Sequence, residues 1–163
     1  MDDRQMELVD SIADKVLNKL CVKGKKSLKL EQVKNLLEKL EQKSKQMNIR
    51  SVFAVCGADG NMIAIHVMDD AYLVSFDVAM KKAYTAVAVQ MSTKELGVLA
   101  QPGGALYGVD KADNGRLIVF GGGVPLRLKG SVIGGLGVSG ATSEQDHELA
   151  VYGARVLEDM LYG

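Results

Sequence analysis

The chain has 163 residues, 47% of them hydrophobic, and its 20 basic side chains balance 20 acidic ones. This length and apolar content suit one domain around a single buried core, which excludes a disordered or fibrous chain. With no net charge there is no general field drawing the protein toward nucleic acid or an anionic membrane, so neither partner is expected.

From the N-terminus, Met6, Val9, Ala13, Val16 and Leu20 recur at steps of three and four, with Ile12 and Leu17 widening the stripe, which predicts a short amphipathic helix. Residues 21–26 are polar and basic and read as a connector, dividing the chain into an extension (1–26) and a main domain (27–163). The N-terminus lacks the basic-then-apolar pattern of a secretory signal, and no apolar run is long enough to span a bilayer. A cytoplasmic location is expected. Cys21 and Cys56 have no CxxC spacing and are expected to be reduced thiols.

A helix is predicted from Leu30 to Met47 with Val33, Leu36, Leu37, Leu40 and Met47 on one face. Residues 50–57 and 62–68 read as strands joined at the Asp59-Gly60 turn. Ser75 is placed as the cap of a further helix running to about Met91, with Phe76, Ala79, Met80, Ala83 and Val87 packing on a sheet. Residues 96–115 read as irregular, with turns at Pro102-Gly103-Gly104 and Asn114-Gly115.

The densest information lies in residues 121–148, GGGVPLRLKGSVIGGLGVSGATSEQDHE. Two Val/Ile-rich runs flank the Lys129-Gly130 turn and predict a hairpin. Glycines at short irregular intervals imply positive φ or close approach by another chain or a ligand, so the segment reads as a shaped, ligand-facing corner. Ser143 with Asp146 resembles a capping box opening a last helix over 144–161, and the loop amides there are candidates for holding an anionic group. The segment lacks the spacing of a dinucleotide fingerprint and of a serine nucleophile elbow.

From Leu28 onward the chain resembles the GlcG/HbpS family, which includes the C-terminal domain of PduO proteins and haem-binding relatives. The likeness rests on LKLEQVKNLL at Leu28, ADGNMIAIHVMDDA from Ala58, AMKKAYTA from Ala79, GGVPL from Gly122 and IGGLGVSGATSEQD from Ile133, in family order. The resemblance implies a profilin-like or PAS-like α/β (α+β) fold with a central antiparallel sheet of about five strands, helices on its faces, and assembly into homo-oligomers. Many members carry Arg-Met-Asp-Gly-Ala where this chain has Val67, Met68, Asp69, Asp70 and Ala71, so a bidentate donor for acid groups is absent there. The extension, MELVDSIADKVLNKL, resembles the terminal peptides that direct enzymes into bacterial microcompartments; the alternative is a helix packed on the domain or on a neighbouring subunit.

The resemblance implies haem or a related tetrapyrrole as ligand, and this focuses attention on side chains able to bind iron or propionates. His66 and His147 are the two histidines and the candidate metal ligands, with His147 favoured for its place beside the glycine-rich loop at a helix start. Cys56, Met62 and Met68 are alternative soft ligands whose plainer role is core packing. Lys81, Lys82, Tyr84 and Thr85 occupy the family's KA-x-TA segment, the lysines as candidates for pairing with propionate or phosphate and Tyr84 for a pocket wall, or else as solvated surface and core. Gly122, Gly123, Gly137 and Gly140 complete the candidate cofactor-binding set. Three functions are therefore entertained: a haem-binding accessory or sensor protein associated with a microcompartment for diol, glycolate or ethanolamine metabolism; a haem-degrading or cofactor-processing enzyme, for which no acid/base pair is evident; and an assembly subunit without a ligand.

Overall fold

A computed structural model describes residues 27–162. The predicted N-terminal helix over 6–20 and the boundary at residue 26 lie outside the described residues. The first described helix, α1 (Leu30–Gln46), buries Val33, Leu36, Leu37 and Leu40, the stripe that the sequence spacing predicts. Strands β1 (Val52–Gly57) and β2 (Met62–Val67) form an antiparallel hairpin closed at Gly60, whose φ is 79°. Helix α2 (Leu73–Val89) follows, then a short helix α3 (Thr93–Leu99), two single 3-10 turns, and a second hairpin of β3 (Gly123–Leu128) and β4 (Ser131–Ser139). Helix α4 (Ser143–Tyr162) ends the fold.

The four described strands form one antiparallel sheet in the order β2-β1-β4-β3, one strand fewer than the expected five. Strand β1 alternates across the sheet as its pleat requires. Phe53 and Val55 enter the larger core with α1 and α4, while Val52, Ala54 and Cys56 meet Ala79 and Ala83 of α2 on the other face. The edge strand β3 carries Pro125 opposite Gly135.

Four local expectations are corrected. Tyr72, not Ser75, stands at the N-cap of α2; Ser75 lies inside the helix, where its hydroxyl accepts from Ser139 Oγ at 3.1 Å. Phe76 is exposed, whereas Ala79, Met80, Ala83 and Val87 pack on the sheet as expected and Ser75, Lys82, Thr85 and Ala86 join the buried face. The reciprocal cap of α4 is made one residue earlier than expected. Thr142 Oγ1 accepts from Gln145 N at 3.2 Å while Gln145 Oε1 accepts from Thr142 N at 3.3 Å, which frees Ser143 and Asp146 for other partners. Helix α3, read from the sequence as part of an irregular stretch after Leu96, opens on a complete capping box between Ser92 and Glu95.

The glycines of β4 explain how closely α2 lies on the sheet. A Cβ at Gly137 would collide with the Ala79 carbonyl oxygen and stand 2.6 Å from the Ala83 nitrogen. The close approach expected here is therefore made by this chain's own helix.

Candidate functional site

His66 lies on one edge strand of the sheet, and His147, on α4, lies beside the other. His66 is on edge strand β2, and its Nδ1 stands 2.5 Å from Glu41 Oε1 of α1. His147 is in the first turn of α4, against a cleft of about 430 Å³ that Val124 of the other edge strand also lines. Three inter-strand spacings, about 14 Å, separate β2, which carries His66, from β3, beside which His147 lies. Among the described residues no cluster of three or more His, Cys, Asp and Glu side chains could hold a metal by itself.

The His147 cleft combines Val98, Val124 and Val151 with Lys94, Glu95 and Ser92. The imidazole has a buried Nδ1 with no hydrogen-bond partner among the described residues. Either tautomer thus leaves that nitrogen unsatisfied, as an idle donor or an idle acceptor, a cost of about 1–3 kcal/mol in a buried position. Burial first and the Lys94 ammonium second push the His147 pKa below its ordinary value, with Glu95 opposing, so the neutral imidazole is favoured. Glu95 is held ionised below the usual carboxylate range by its hydrogen bonds from the Ser92 hydroxyl and amide.

The glycine-rich segment is packed and internally bonded. Gly121 N donates to Ser143 Oγ at 2.8 Å, Gly123 N to Thr93 Oγ1 at 2.8 Å, and Gly140 N to Asp146 Oδ1 at 3.1 Å. These amides are already spent, so they do not form the anion cradle that the sequence suggests. Gly122, at φ 120°, has the Val138 carbonyl oxygen and Lys82 Nζ crowding the place of a Cβ. Gly137, as noted, lies under α2. The segment shapes the wall behind His147.

Of the candidates on α2, Lys81 pairs with Asp77 at 2.9 Å on the outer face, the solvated role weighed above. Tyr84 lies flat beneath the Arg116 guanidinium, 3.6 Å from its ring centre, and beside Gly60 of the first hairpin. It is not among the residues lining the His147 cleft. Cys56 is fully buried on the α2 side of the sheet, and burial pushes its thiol up to about 11, so it is no thiolate ligand at neutral pH. Met68 turns its sulfur toward Ser51 N at 3.5 Å.

Lys82, which the sequence reading left between a propionate partner and the solvated helix face, is neither. Its side chain is fully buried, with Nζ donating to Val138 O at 2.8 Å and to Asp146 Oδ2 at 2.8 Å. Burial outweighs the mutual attraction and drives Lys82 down and Asp146 up, each toward its neutral form. A sequence signal existed: Lys82 stands three residues after Ala79 and four before Ala86, on the buried stripe itself.

On the far side of the molecule a polar cleft of about 460 Å³ is lined by Glu41, Lys45, Arg50, Val67, Asp69 and Asp70 among others. Arg50 approaches Asp70 at 3.7 Å there, beside Val67, where the arginine of many family members is lacking. Asp70 takes the left-handed conformation, φ 63°, that aspartate tolerates, so the substitution leaves the turn intact.

A family model described as "Haem degrading protein HbpS-like" matches residues 28–155. The chain belongs to the HbpS-like family. Among its relatives, an uncharacterised 15.0 kDa protein of the dhaT-dhaS intergenic region of Citrobacter freundii is 40% identical over 124 residues, 76% of this chain and 87% of that protein. The corrinoid adenosyltransferase PduO of the same organism is 33% identical over 153 residues, 91% of this chain but 46% of its own length. This chain thus spans less than half of that enzyme. A crystal structure of a PduOC:heme complex superposes with a TM-score of 0.76 at 37% identity, covering 79% of this chain and 94% of that one. The family resemblance read from the sequence motifs holds. Among the described residues, no helix is long and apolar enough to cross a membrane.

Proposed function

We propose that this HbpS-like chain binds haem or a related tetrapyrrole as a sensor, carrier or accessory subunit, with the His147 cleft as its site. The observation that carries the reading is the orphaned, buried Nδ1 of a neutral imidazole in a cleft walled by three valines and rimmed by Lys94. This donor set fits an amphipathic, dianionic macrocycle: the valines suit its apolar faces, Lys94 a propionate, and the imidazole an axial position. Haem bound there would supply a redox-active, light-absorbing iron centre. His66 is the weaker candidate, because Glu41 engages it and the cleft on that side is polar. The solved haem complex of the PduO C-terminal relative supports the same ligand class.

The test is a haemin titration followed at the Soret band, repeated with His147→Ala and His66→Ala. We expect saturation at about one haem per chain, lost in His147→Ala and retained in His66→Ala. A weak, unsaturable response unchanged by either substitution overturns the reading. Residues 1–20 are proposed to direct the chain to a microcompartment, on the sequence resemblance alone; a fluorescent fusion that stays diffuse in compartment-forming cells refutes that part. Homo-oligomer formation, implied by the family, is supported by the exposed run Tyr72, Leu73, Val74 and Phe76, with Leu73 96% accessible.

A further inference from the structure

The buried pair Lys82–Asp146 ties α2 to the end of β4 and to the first turn of α4, the turn that carries His147. Lys82 Nζ, from α2, holds the Val138 carbonyl near the end of β4 and the Asp146 carboxylate in the first turn of α4. The other carboxylate oxygen, Oδ1, accepts from Gly140 N at 3.1 Å and Ala141 N at 3.0 Å, which fixes the turn between β4 and α4. The Phe120 ring covers the ammonium at 5.0 Å. The next residue, Gly121, is tied to Ser143, and a Cβ on Gly121 would stand 3.1 Å from the Cβ of His147.

A buried ion pair is poor value for stability, because desolvation offsets its attraction and an apolar replacement is often as stable; its better attested use is to fix register. Asp146 directly precedes His147, so whatever sets the rotation of that turn also sets the direction of the imidazole. We propose that Lys82 and Asp146 are positioning residues for His147: together they fix the turn and the rotational setting of α4 that aim the imidazole into its cleft. The functional importance of this device rests on the tetrapyrrole reading of that cleft, whereas its geometry does not.

The test compares Lys82→Met and the isosteric Asp146→Asn with wild type. In the ligand-free protein, imidazole carbon–proton NMR correlations follow the two histidines separately, with His147→Gln giving the assignment. We expect the His147 signal to shift or broaden in both variants while that of His66 stays in place. Haemin affinity should fall about ten- to hundredfold, as changes to a ligand's supporting shell do, and added imidazole should restore the ligated Soret spectrum. Folded variants that keep the wild-type His147 signal overturn the proposal. If Lys82→Met does not fold, Asp146→Asn decides, since it preserves side-chain volume and the acceptor for the turn amides. If wild type shows no His147-dependent haemin binding, the tetrapyrrole reading fails alone and the ligand-free spectra still settle the positioning role.

Discussion

Burial and the Lys94 ammonium hold His147 neutral below the ordinary histidine pKa of 6.5, and this has a consequence for folding. The unfolded chain binds the proton more readily than the native one, so the stability gained from the neutral imidazole is present above that value and is lost as pH falls below it. Asp146 acts in the opposite sense: its raised pKa makes the native state the better proton acceptor just above 3.8. Subtraction separates the two. Denaturant melts from about pH 7 to about pH 5 should show wild type losing stability, and His147→Gln should show a flatter slope over the same window. An identical slope would mean that another group titrates there. Cys56 offers a second residue-level test: with its thiol at about 11 and no accessible surface, it should resist iodoacetamide at neutral pH until the chain is unfolded, as peptide mass spectrometry would show. Of the site, His147 was legible because a helix start beside a glycine-rich loop is readable from local spacing. Its partners were not. The Ala79–Ala86 stripe sets Lys82 apart from its neighbour Lys81, which meets Asp77 in solvent, but Asp146 lies 64 positions away and no local pattern names it as the partner.

At the level of elements, the stripe of α1 and both hairpins were legible because their signals are periodic or depend on Asp-Gly and Lys-Gly turns. Helix α2 was harder. Its fully buried face is built of Ala, Ser, Thr and one Lys; Met80 and Val87 pack against it as their spacing implies, while hydrophobicity misplaces Phe76, whose orientation tertiary contact decides. Gly123, Gly135 and Gly137, in the segment that looked ligand-facing, serve that contact. Gly137→Ala should therefore destabilise the fold by about 3 kcal/mol or abolish it, because the collision is with helix backbone that cannot move aside. At Gly103, where nothing lies within 4 Å of a Cβ but φ is 83°, alanine should cost only about 1–2 kcal/mol, the price of the left-handed conformation. Equal midpoints for the two variants in guanidinium would show that the α2–β4 contact is looser than described.

On the scale of the whole molecule, the two apolar clusters are the two faces of one sheet and share β1 as a common wall. Opening either face exposes the other, so unfolding should be a single transition. Leu40→Ala, in the cluster of α1 and α4, should lower that one midpoint by the equivalent of about 2–5 kcal/mol without splitting it; two separate transitions by circular dichroism and tyrosine fluorescence would refute the shared wall. The strand order β2-β1-β4-β3 was not readable from local patterns, because pairing such as Val52 with Ser139 leaves no periodic trace; the family resemblance supplied the architecture. That order also puts Pro125 on an outer strand. A proline has no amide hydrogen to offer an incoming strand and keeps its φ fixed, so growth of the sheet into a continuous fibre is blocked on that flank. Among the described strands the edge without a proline is β2, so a subunit extending the sheet there would give a pair of sheets with Pro125 on each outer strand.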